Sequence, residues 1–189
     1  MENYELIDAE TKTCDAAFFL DLIAHSPARK LSLDEKMAII ESCQAAAISQ
    51  FENLIELSPL SHIKNLGFKL VEDVAMENVP VFALCHSAEK KLTLNAKMIE
   101  KVEQRLQNFA KRDEKWAVNI KIVVLWHELF HMLEENDPTI YTRNAWIEKK
   151  FFNRVKKVPL ECASEIGAIY FSKIATNLPF NPRVFELLA

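Results

Sequence analysis

"VVLWHELFHMLEE", residues 123–135, has the density of apolar side chains expected of a buried helix, yet it carries His127, Glu128 and His131. A His-x-x-x-His spacing on a helix puts two imidazoles on one face, one turn apart. Both ring nitrogens can then reach one tetrahedral Zn²⁺ at about 2.0–2.1 Å. Glu128 follows the first histidine and projects toward the open coordination position, where a carboxylate can take a proton from an attacking water. Val124, Leu125, Leu129, Phe130, Met132 and Leu133 form an apolar collar suited to a desolvated metal helix. The competing reading is a pair of core histidines satisfied by backbone or carboxylate partners.

A hydrolytic zinc site needs a third protein ligand and a position left for water. The other histidines, His25, His62 and His86, all precede the motif, so a downstream histidine is excluded. Of the later carboxylates, Glu134 and Glu135 are too near in sequence to bend back to the same metal, and Glu148 belongs to the charged "WIEKKFF". Glu161 and Glu165 open "LECASEIGAIYFSKIA" one turn apart on one face. Cys162, Ala163, Ser164, Gly167 and Ala168 would let that helix approach the metal helix closely. One carboxylate can bind zinc while the other orients a ligand histidine. Without the HExxH motif, such a pair would read as acidic residues favoured by a helix N-terminus.

Outward from these motifs, 189 residues that are 50% hydrophobic and 26% charged suit one soluble domain, 1–189. A formal charge of −4 gives no chain-wide nucleic-acid signature, and Lys90-Lys91, Lys149-Lys150 and Lys156-Lys157 read as solvated faces. Cys14, Cys43, Cys85 and Cys162 have no framework spacing and fit reduced thiols in a cytoplasmic setting. "MENYELIDAE" is too acidic for a signal peptide, and no run is long enough for a membrane span.

Only two glycines occur, which favours a mostly α chain. "DAAFFLDLIA" and "SLDEKMAIIESCQAAAISQFENLIEL" have helical periodicity, the second opening with a Ser32/Glu35 capping box. "FKLVEDV", "VPVFALCH" and "KLTLN" read as a small three-stranded sheet whose last two strands flank the turn "SAEK". Four helices are then expected: Ala96–Lys111, Lys115–Glu135, Ile140–Val155 and Leu160–Ala175, with breaks before Pro138 and Pro159. The expectation is an α+β, mostly α fold with an N-terminal helical segment (1–60), a core (66–175) and a C-terminal tail (176–189).

His127-Glu128-Leu129-Phe130-His131 followed by "ECASEIGA" resembles the gluzincin metallopeptidases, whose second motif is Glu-x-x-Ala/Ser-Asp. The chain is most similar to the HtpX-type and minigluzincin members, where the Glu helix continues with Gly-Ala as Gly167-Ala168 does here. It also resembles the ImmA/IrrE family through "FALCHSAEKKLTLN", which looks like that family's hairpin. The resemblance implies a zincin-like domain binding Zn²⁺ through His127, His131 and Glu161, with Glu165 in place of the aspartate behind the ligands. The ImmA/IrrE register, Glu165-x-x-Ala168-Ile169-x-Phe171-Ser172, makes Glu165 the ligand instead and lacks that pattern's Asn.

The implied activity is a zinc metalloendopeptidase with Glu128 as the proton acceptor, and its partner is a protein or peptide substrate added as a strand near Pro80–His86. The alternative is a catalytically silent or latent zincin-fold regulatory or binding protein. Tyr141, Tyr170, Arg143 and His86 are candidate oxyanion donors. Cys162 is either an inhibitory ligand or a small core residue, and "NLPFNPRVFELLA" either packs on the core or plugs the cleft.

Overall fold

The computed structural model describes residues 4–151 and 154–189. The chain opens with helices α1 (Tyr4–Glu10), α2 (Asp15–Ala24), α3 (Leu33–Glu52) and α4 (Pro59–Asn65). The Ser32 box forms in both directions, with the hydroxyl accepting from the Glu35 N–H and the Glu35 carboxylate accepting from the Ser32 N–H. Three strands follow: β1 (Lys69–Asp73), β2 (Ala83–His86) and β3 (Lys91–Asn95). Their order is β1-β3-β2, with β1 parallel and β2 antiparallel to β3. The expected hairpin is therefore present, and β2 is an edge strand. Lys90 turns it with a left-handed φ of 48°.

Asn95 ends β3, caps the next helix and is fully buried. Its amide faces the carbonyls of Met76, Val79 and Val81 at 2.9–3.1 Å and so fixes the loop that leads into β2. Helix α5 (Ala96–Ala110) then leads to α6 (Ile120–Asn136), the helix of the HExxH motif. Residues 114–116 form a separate 3₁₀ turn, so α6 starts later than Lys115, at the cap supplied by Asn119.

The helix expected over Ile140–Val155 does not form. A single turn, α7 (Tyr141–Asn144), precedes a hairpin of β4 (Trp146–Phe151) and β5 (Arg154–Pro159), while 152 and 153 lie outside the described residues. Trp146, Ile147, Phe151, Val155 and Val158 are β-favouring types. At the root of the hairpin, Ile147 pairs with Val158 and packs on a core cluster, which a helix would have turned away.

Helix α8 (Glu161–Ala175) and a C-terminal 3₁₀ segment, Pro182–Leu188, complete the chain. The larger core surrounds α6 and includes Leu92, Leu94, Leu129, Phe130, Phe171 and Phe185. The smaller joins α2 and α3 to α8 through Phe19, Ile23, Ile40, Cys43, Ala163 and Ile166. Val184, Phe185 and Leu188 are buried, so the tail packs on the core. Among the described residues, no helix is long and apolar enough to cross a membrane.

Candidate metal centre

Helix α6 is set in place by its own sequence. Asn119 accepts the Ile122 N–H at 3.2 Å, and Val123, Leu125, Leu129, Phe130 and Met132 bury the inward side. His127, Glu128 and His131 are left on a half-buried side. Helix α8 crosses beside it at Gly167, where a Cβ would lie 2.6 Å from the Phe130 ring and 3.0 Å from Thr142. The small residue makes close approach of the two helices possible and carries Glu165 to the histidines.

The Nε2 atoms of His127 and His131 are 3.1 Å apart. Glu165 places Oε2 3.6 Å from the first and Oε1 3.5 Å from the second. A tetrahedral ion with bonds of 2.0–2.1 Å separates its ligands by about 3.3 Å, so this spacing is one that could hold a metal ion. Glu165, with its side chain 51% exposed, faces a solvent-accessible cleft. Glu161, one turn earlier, is not part of the His127–His131–Glu165 group. It lines a second cavity with Glu135 and Arg143. The structure thus brings Glu165, and not Glu161, to the two histidines.

The backing of His131 comes from Glu134. This carboxylate is buried at 2% exposure on α6, where it accepts from Thr142 and Ser164. The His131 Nδ1 lies 3.2 Å from Glu134 Oε2 and 2.9 Å from Ser164 Oγ. The Ser164 hydroxyl proton goes to Glu134, so its oxygen is free to accept. The Nδ1 proton therefore points at acceptors, and a neutral His131 presents its lone pair at Nε2. Sequence reasoning missed this role. The available signal was a carboxylate three residues after the second histidine of the motif, on the same face of an apolar helix.

Burial, reinforced by His131, pushes His127 down to about 3, which keeps it a neutral donor. Burial, with the Glu165 charge adding to it, pushes Glu128 up to about 7. Glu134 is held below the ordinary carboxylate value. Burial works against this, but hydrogen bonds from His131, Ser164 and Thr142 outweigh it.

A cleft of about 580 Å³ runs over His127, Glu128, His131 and Glu165, with Pro80–Ala83 on one wall and Phe185 and Ala189 on the other. A cavity of about 550 Å³ shares His131 and Glu165 with it, so open space continues past the ligand group. Of the four proposed oxyanion donors, Arg143 lines this second space. Tyr170 packs against both cores, and Tyr141 and His86, the latter at the end of β2, are exposed. Cys162 is half-buried, outside the ligand group, with its thiol pushed up by burial. Compared with protein-family models, curated proteins and solved structures, the chain gives no significant match.

Proposed function

We propose that this chain is a zinc-dependent metallopeptidase. Within that class it reads as a gluzincin-type cytoplasmic endopeptidase with His127, His131 and Glu165 as ligands, the arrangement of the ImmA/IrrE register. The observation that carries this reading is the closeness of the two Nε2 atoms, 3.1 Å apart, to the Glu165 carboxylate, whose Oε2 is 3.6 Å from His127 and whose Oε1 is 3.5 Å from His131, with Glu128 of the same helix lining the same cleft. Zinc held there supplies Lewis acidity to a water and to the scissile carbonyl.

The remaining chemistry belongs to the chain's own residues. Glu128, with an affinity for protons near neutrality, accepts the proton of the attacking water as the new C–O bond forms. It delivers that proton to the departing amine nitrogen as the C–N bond breaks. Glu134 and Ser164 fix the His131 ring while this happens. A substrate lies extended along the cleft wall at Pro80–Ala83, adding to the sheet at its β2 edge.

The test is zinc content after purification without added metal, together with cleavage of a quenched-fluorescence peptide pool. Wild type is expected to hold close to stoichiometric zinc, and Glu161→Ala likewise, whereas Glu165→Ala loses it. Glu128→Gln is expected to keep zinc and lose about 10²–10⁴-fold in cleavage. Zinc-free wild type after reconstitution at neutral pH would end the peptidase reading. Loss of zinc in Glu161→Ala but not Glu165→Ala would reverse the ligand assignment.

A further inference from the structure

Strands β4 and β5 form a two-stranded sheet, and neither outer edge is paired among the described residues. Together they carry five cations against one carboxylate, so +4 in a chain whose formal total is −4, and the remainder carries −8. Directly opposed residues of an antiparallel pair share a face. On one face Ile147 and Val158 anchor the root. Beyond them Lys149 stands opposite Lys156, and Arg154 follows on β5. All three cations are exposed, and none has an ion pair among the described residues. The other face shows Trp146, 46% exposed beneath the Lys157 ammonium 3.7 Å from its ring centre, and Val155, 57% exposed.

The hairpin is held at its root, where Ile147 packs on the smaller core, and Glu148 lies opposite Lys157 on the other face, but Lys149 directly opposite Lys156 sets like charges against each other and works against the pairing. An anionic occupant removes that repulsion. We propose that this hairpin docks an extended acidic segment of a partner protein, an inference that goes beyond the peptidase reading and needs no metal. A strand repeats its side chains on one face about every 6.6 Å, and Arg154 and Lys156, two residues apart on β5, present cations at that pitch. A segment with a carboxylate at every second residue can therefore add to an open edge and meet the cations, while its intervening apolar side chains reach Trp146 and Val155. A nucleic acid fits less well. Its charge continues past the six-residue strands, whereas the cations are confined to them.

The experiment is fluorescence anisotropy of a labelled peptide of alternating Glu and Val, about eight residues long, titrated with the full chain. The controls are its Gln-for-Glu counterpart and a labelled DNA oligonucleotide. Binding is expected for the Glu peptide, absent for the Gln peptide and weaker for DNA. It should weaken about tenfold in Lys149→Glu/Lys156→Glu and persist in Lys149→Arg/Lys156→Arg, with helical circular dichroism unchanged in both. Three results would each overturn the proposal: no binding of the Glu peptide to wild type at low salt, equal binding by the charge-reversed chain, or tighter binding of DNA through the same two lysines.

Discussion

At the scale of single residues, Glu134 shows what spacing rules miss. Nearness in sequence argues against Glu134 as a ligand, and the same nearness brings it behind His131, 3.2 Å from Nδ1. Glu134→Gln is expected to weaken zinc affinity about 10–100-fold, measured by competition with a chromophoric chelator, because the acceptor that orients Nδ1–H is replaced. Unchanged affinity would reduce Glu134 to a packing residue. A pH dependence follows from the same contact. Burial alone would lower the His131 pKa, but the Glu134 hydrogen bond and the charges of Glu165 and Glu128 raise it above the usual 6.5. A ligand must be deprotonated, so zinc at the proposed site would have to displace this proton. Affinity should fall about tenfold per pH unit below the raised pKa, starting at a higher pH than an ordinary histidine would give. Calorimetry at pH about 6.5 in buffers of different ionisation enthalpy should detect the proton released on binding. Release of none would contradict the raised pKa.

Among the elements, local signals were legible and relational ones were not. The Ser32 box, the hairpin around "SAEK" and the HExxH helix rest on residues a few positions apart, and each forms where its pattern lies. Glu161 and Glu165 share one face of α8, so periodicity cannot choose between them. The choice depends on how far α8 is displaced along α6, and the contact of Gly167 with the Phe130 ring sets that offset. The β4–β5 hairpin was illegible for a related reason: Lys and Glu between its apolar residues support either period, and the pairing of Ile147 with Val158 is fixed only once α8 offers a surface. Gly167→Ala tests the crossing. A Gly→Ala change in an open helix usually stabilises by about 0.5–1 kcal/mol. Here the added methyl meets the fully buried Phe130 ring, which also packs on Phe171 with centroids 5.3 Å apart. The expected result is a loss of about 1–3 kcal/mol in chemical denaturation, accompanied by weaker zinc binding because Glu165 moves with α8. A stabilised variant would show that the crossing is looser than its contacts indicate.

For the whole molecule, the question is whether metal holds the fold or the fold holds the metal. Helices α6 and α8 enter the larger core through Leu129, Phe130, Ala168 and Phe171, and α8 enters the smaller core through Ala163 and Ile166. Arg183 ties the C-terminal segment to α2 through Asp21 and the Phe18 carbonyl at 3.0 and 3.1 Å. None of these contacts passes through the ligand group, so the metal-free chain should remain folded, unlike small domains whose folding energy is their metal site. Zinc bound at the proposed site would add stability by mass action, about 4 kcal/mol at a thousandfold excess over its Kd. For a chain of this size that corresponds to a rise in Tm of about 10 °C. Chelation followed by thermal denaturation should therefore lower Tm by about that amount while leaving the far-ultraviolet spectrum at 25 °C unchanged. Collapse of the helical signal on chelation at 25 °C would mean that the two cores cannot hold α6 against α8. An unmoved Tm in a chain shown to lose its zinc would mean that the ligand spacing is set by the cores alone and that the ion binds too weakly to stabilise it.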